Sequence, residues 1–69
     1  MKDYKFPERL KELRKENRLS QSELANKVGL THTAIGLWEL NKRIPNLDAV
    51  IKLANFFKVS LDYLAGLED

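Results

Sequence analysis

Glu8, Glu12 and Glu16 stand at four-residue spacing, and carboxylates lined up on one helix face are a pattern that can exchange protons as acid and base. Lys11 and Lys15 interleave with them, and no apolar pocket flanks them. The string therefore reads as a solvated, mixed-charge surface, with Glu8/Lys11 and Glu12/Lys15 pairs worth about 0.3 kcal/mol each. His32 is the only histidine and there are no cysteines, so thiolate metal sites, disulfides and a nucleophile-base triad have no residues to use. No Gly-rich phosphate loop is present. Catalysis, a metal and an organic cofactor are all expected to be absent.

The remaining candidates are groups that recognise rather than react. Ser20, Gln21, His32 and Thr33 can donate or accept hydrogen bonds, and Lys42-Arg43 is a compact cationic pair. Residues 1–45 hold ten Lys/Arg against six Asp/Glu, whereas residues 46–69 hold two against four, so a modest net charge of +2 conceals a basic half and an acidic one. The polar candidates all lie in the basic half. That asymmetry gives modest support for a polyanionic partner.

These side chains need elements to hold them, and the apolar spacing supplies helices throughout. Pro7 suits a first turn, and Phe6, Leu10 and Leu13 recur at i, i+4 and i+7, which predicts a helix over about Pro7 to Asn17. Ser20 with Glu23 forms a Ser-x-x-Glu capping box that opens a second helix. Leu24, Ala25 and Val28 supply its inner face, and Gly29 suits the left-handed turn that ends it. Thr31 offers the next N-cap, for a third helix from His32 to about Leu40 with Ile35 and Trp38 facing inward alongside Thr31. Asn41 can close it in the left-handed region.

Asn46 caps a fourth helix, Leu47 to Phe57, whose expected inner residues are Leu47, Val50, Ile51, Ala54 and Phe57. Ser60 caps a last short one, Leu61 to Ala65, stopped by Gly66. With no β-pattern, linker or repeat, the expectation is an all-α chain of five helices around one core, a single domain over residues 1–69 with its packed part at 6–66. At 69 residues it lies near the smallest size that one apolar core can hold without staples. No membrane span or signal peptide is visible, which predicts a soluble, cytoplasmic protein.

Residues 21–40 are the informative stretch, because a short turn between two helices makes them cross steeply and presents the second as a ridge able to enter a DNA major groove. On that ridge Thr33, Leu37 and Leu40 fall at i, i+4 and i+7, opposite Ile35 and Trp38. A leucine pair offers apolar contact where an amide or a cation would read a base edge. Its natural partner is the thymine methyl, which predicts A/T-containing half-sites.

The chain resembles the lambda-repressor and Cro, or Xre-type, helix-turn-helix family. The resemblance rests on ERLKELRKENRLSQSELA, the Ile35-x-x-Trp38-Glu39 string, Lys42-Arg43-Ile44-Pro45, Leu53-Ala54, and Val59-Ser60-Leu61-Asp62-x-Leu64. It covers Phe6 to Gly66 and implies a compact five-helix domain that binds double-stranded operator DNA as a symmetric homodimer and represses transcription. Such proteins are prokaryotic or phage-encoded.

By that resemblance His32, Thr33, Gly36 and Leu37 are the expected base contacts, and Ser20, Gln21, Lys42 and Arg43 the expected phosphate contacts. Gln21 is also expected to brace the recognition helix. Arg14 and Glu39 match an architectural ion pair. Gly36 departs from the family, which places polar or charged groups at the positions of Gly36 and Leu37; it reflects either close approach to DNA or a partner, or tolerance within a packed helix. Phe56, Tyr63 and Leu67 are the sequence candidates for a dimer surface, with loose packing over the core as the alternative. A protein-interaction or antitoxin-like module on the same fold is the competing function. No small-molecule ligand is expected.

Overall fold

The computed structural model describes residues 4–67, and among them the chain is all-α. Five helices follow in order: α1 (Phe6–Glu16), α2 (Gln21–Val28), α3 (His32–Glu39), α4 (Leu47–Phe57) and α5 (Leu61–Ala65). The bounds of α2, α4 and α5 agree with the capping residues read from the sequence. α1 is shifted by one residue, because Lys5 takes the N-cap position and Pro7 falls within the first turn, and α3 closes one residue before Leu40.

Each helix from α2 onward begins on a side-chain cap. Ser20, Thr31, Asn46 and Ser60 accept from the backbone N–H three residues on, at 3.0, 3.1, 2.8 and 2.9 Å. Every helix is also followed by a residue in the left-handed region. Gly29 and Gly66 serve α2 and α5, whereas Arg18, Asn41 and Lys58, at φ of 56°, 58° and 59°, serve α1, α3 and α4 with a side chain in a conformation that glycine adopts at less cost. After α3, for example, Asn41 N–H bonds Trp38 O and Lys42 N–H bonds Leu37 O, at 3.1 and 2.9 Å.

The core is built where the helices meet. Phe6 and Leu10 of α1, Leu24 of α2, Ile35 of α3, Leu53 of α4 and Leu64 of α5 are fully enclosed, and Trp38 meets Phe6 edge-on with ring centroids 6.3 Å apart. Ala25, 3% exposed, is the small residue in the tightly packed α2–α3 unit.

Three expectations are corrected. Arg9, expected on the solvated face of α1, is 8% exposed; its guanidinium donates to Tyr63 O and lies over the Tyr63 ring, 4.3 Å from the centroid. Cation-π stacking and a backbone acceptor satisfy the charge there, so α5 is locked onto α1 by a residue the apolar periodicity could not flag. On α4 the inward face is Ala49, Val50, Leu53 and Ala54, leaving Leu47 64% and Ile51 41% exposed. Thr31 is exposed, since its hydroxyl is used as a cap rather than packed inward.

Candidate nucleic-acid interface

The α2–α3 unit is closed from both ends. Ser20 Oγ accepts from Glu23 N–H while Ser20 N–H donates to Glu23 Oε1 at 2.8 Å, which holds the Glu23 carboxyl below its ordinary range, chiefly through that backbone donor. Ser20 is exposed but its backbone N–H is already bonded, so only its hydroxyl proton is available to an outside acceptor. Helix geometry leaves the N–H groups of Gln21 and Ser22 without an intrahelical carbonyl, and these point along the positive end of the α2 dipole. At the turn, Gly29 has φ 70° and Leu30 N–H bonds Ala25 O at 2.9 Å, so that only Gly29, Leu30 and Thr31 separate the two helices.

The far end of α3 is tied to both preceding helices through one carboxylate. Arg14 of α1 donates from Nε to Glu39 Oε2 at 2.8 Å and from Nη2 to Oε1 at 3.0 Å, a bidentate pair, and its Nη1 donates to Leu19 O at 2.8 Å. Gln21 of α2 adds a third donor, Nε2 to Glu39 Oε1 at 3.1 Å. The Glu39 side chain is 4% exposed and that of Arg14 12%. Hydrogen bonding to Glu39 raises the Arg14 pKa further above its already high ordinary value, against the opposing effect of burial. α3 is thus positioned by a fixed polar network rather than by apolar packing alone.

The outward side of α3 carries few polar groups. His32 and Thr33 are exposed, Leu37 is half-buried, and Leu40 lies 67% exposed just past the helix end. Gly36 is half-buried, and its missing side chain would face α2, because a β-carbon there would stand 3.4 Å from Gln21 Oε1. Lys42 and Arg43 are exposed on the loop that follows. His32, Thr33 and Leu37 therefore share the ridge with Lys42 and Arg43 beyond its end, while Gln21 lies partly beneath it with its amide engaged.

Away from this ridge, a shallow groove of about 390 Å³ runs beside α1, lined by Pro7, Glu8, Lys11, Glu12, Lys15 and Glu39. Its exposed carboxylates alternate with lysines, as the sequence pattern requires. Among the described residues no group of His, Asp and Glu is placed to hold a metal ion, and no helix is long and apolar enough to cross a membrane.

The helix-turn-helix family model matches residues 10–64, which include the whole α2–α3 unit and the Arg14–Glu39 pair. The chain belongs to the helix-turn-helix family of the lambda-repressor and Cro type. It is 39% identical over 64 residues to the uncharacterized HTH-type transcriptional regulator YobD of Bacillus subtilis, covering 93% of this chain and 57% of that protein. It is 36% identical over 64 residues to the HTH-type transcriptional activator BcrR of Enterococcus faecalis, covering 93% of this chain and 31% of that one. Among solved structures it is similar to the restriction-modification controller protein C.AhdI of Aeromonas hydrophila, with a TM-score of 0.80 at 36% identity, over 88% of this chain and 92% of the other. The chain spans little more than half the length of YobD.

Some parts of the surface were not legible beforehand. Phe56 and Phe57 are both half-buried and pack edge-on at 5.1 Å, and Tyr63 is half-buried beneath Arg9, so of the three sequence candidates for a dimer surface only Leu67 is fully exposed. Besides Leu40, the larger exposed apolar residues are Ile44 at 75%, Leu47 at 64% and Leu67 at 76%, with Ile51 one turn beyond Leu47. A signal existed: α4 holds more apolar residues than one helix face can bury, so one of its two stripes had to face outward.

Proposed function

We propose that the chain is a sequence-specific DNA-binding transcriptional regulator. It inserts α3 into the major groove, with His32, Thr33 and Leu37 toward base edges and Lys42, Arg43, Gln21 and the Ser20 hydroxyl toward phosphates. The observation that carries this reading is the placement of α3 by Glu39: a recognition helix pinned to α1 and α2 by three donors, with its opposite side left open and a cationic pair beside its end. Gly36 contributes no side chain, and its Cβ direction is toward Gln21; a role for it at the bases is limited to letting backbone approach.

We further infer a repressor acting as a homodimer on a palindromic operator, in the cytoplasm of a bacterium or from a phage genome. Ile44, Leu47 and Ile51 give a second copy an apolar surface to cover. The described part of the domain is 29 Å along its longest axis, so two copies side by side suit half-sites one helical turn apart, roughly 34 Å. Repression needs only that the operator be occupied where polymerase must bind. The similarity to BcrR, an activator, makes the sign of regulation a matter for direct assay.

Selection of bound sequences from a random duplex pool tests the proposal, and it should return two related half-sites in inverted orientation. Affinity should fall steeply with salt: Lys42 and Arg43 of two copies alone give a slope of about −3.6 in log K against log salt. The exposed Leu40 favours one competing reading, a protein-contact module on the same fold. Salt-insensitive self-association lost on Leu37→Lys, with no duplex bound, would establish that alternative.

A further inference from the structure

The residues of α3 include no lysine, arginine, asparagine or glutamine. Glu39 is its one carboxylate, and both oxygens are held inside the protein, Oε2 by Arg14 and Oε1 by Arg14 and Gln21 together. The same contact engages the amide nitrogen of Gln21, the nearest side chain of α2 that could have read an adenine. Ile35 and Trp38 are buried beneath the helix. What the open side offers is two exposed polar side chains, His32 and Thr33, followed one turn after Thr33 by the wholly apolar Leu37 and then by Leu40.

The apolar feature that base pairs present in the major groove is the methyl group at pyrimidine C5. We propose that Leu37, with the methyl of Thr33, recognises C5-methyl groups of pyrimidines, and that this contact is a main source of the domain's sequence preference. The proposal rests on α3 being the DNA-reading helix. It has a regulatory consequence. Thymine and 5-methylcytosine carry the same methyl at the same ring position, so methylation of a cytosine that faces Leu37 strengthens binding, and an unmethylated cytosine or a uracil there does not satisfy the contact. Hydrogen-bonding readers would not show this equivalence, because they address groups that differ between the two base pairs: Arg reads the guanine opposite 5-methylcytosine, Asn the adenine opposite thymine, and a carboxylate the cytosine amino group.

The test uses the unaltered protein on its selected operator, with each thymine replaced in turn by deoxyuridine and binding followed by fluorescence anisotropy at one salt concentration. At one or two positions per half-site, loss of the methyl should weaken binding about fourfold, the effect expected for removing one methyl from an apolar contact. At the same positions 5-methylcytosine should bind more tightly than cytosine by a similar factor. Leu37→Ala should abolish the thymine/uracil difference at one of them while circular dichroism shows the helices intact. Equal affinity for thymine and uracil at every position would overturn the proposal, as would a thymine/uracil ratio unchanged in folded Leu37→Ala. Failure of the unaltered protein to bind any duplex would instead overturn the DNA-binding reading beneath it.

Discussion

Gln21 lays its side-chain amide over Gly36: Oε1 stands 3.4 Å from where a β-carbon on residue 36 would be, while Nε2 donates to Glu39 at 3.1 Å. A separation of 3.4 Å is ordinary van der Waals contact, so alanine fits the site without displacing Gln21. Glycine inside a helix costs about 1 kcal/mol relative to alanine. Gly36→Ala should therefore raise stability by up to about 1 kcal/mol in urea unfolding followed through Trp38 fluorescence, with the Gln21–Glu39 bond retained. A loss of stability would mean that α2 and α3 lie closer than this geometry allows.

The Arg14–Glu39 pair should behave as a unit. Replacing one partner strands a charge that is largely buried, and Arg14→Met or Glu39→Leu alone should each cost about 3 kcal/mol. The double variant should cost clearly less than the two single changes added together, because neither charge is then left behind. Equilibrium denaturation of all four proteins measures the coupling. Strict additivity would show that the pair is not what holds α3 to α1.

Arg18, Asn41 and Lys58 each end a helix with positive φ, a conformation that disfavours a β-carbon. Lys58→Gly and Asn41→Gly should each stabilise the domain by about 0.5–1 kcal/mol, the left-handed penalty less the extra freedom glycine has in the unfolded chain. Thermal midpoints compared with those of Lys58→Ala and Asn41→Ala isolate the backbone effect, since alanine removes the side chain but keeps the β-carbon.

Glu23 has its pKa lowered in the folded state by the Ser20 backbone and hydroxyl. A carboxyl that is more acidic when folded contributes stability above its unfolded pKa, and loses it as pH falls from the ordinary glutamate range through the lower folded value. Glu23→Gln keeps an acceptor for the capping box but cannot titrate. Stability measured between neutral and acidic pH should fall less steeply in Glu23→Gln than in the unaltered protein. An identical acid slope in the two would remove the capping carboxylate as a contributor.

The fold was legible because its signals are local. Ser20, Thr31, Asn46 and Ser60 announce helix starts through hydrogen bonds that span three residues, and Gly29 and Gly66 announce ends through backbone freedom. Thr31 departs from the sequence reading through its own local cap, whereas Arg9 and α4 depart from it through contacts between residues distant in the chain. Arg9 is buried because Tyr63, 54 positions away, offers it a ring and a carbonyl. Leu47 and Ile51 face outward because Ala49 and Leu53 are the residues of α4 that fit the space left by the other helices. On the ridge, the outward direction of Thr33 and Leu37 follows from periodicity and the place of His32 from the family resemblance, whereas the Cβ direction of Gly36 depends on where Gln21 rests and is not legible in the sequence.

The most direct measurement of the central claim, that the open side of α3 meets DNA, is the affinity of Thr33→Glu for the selected operator. Thr33 is exposed, so the substitution should leave the thermal midpoint nearly unchanged. It would place a negative charge against the phosphate-lined groove, where like-charge opposition costs several kcal/mol, and binding should fall by at least about a hundredfold. Affinity equal to that of the unaltered protein, in a folded variant, would contradict the account.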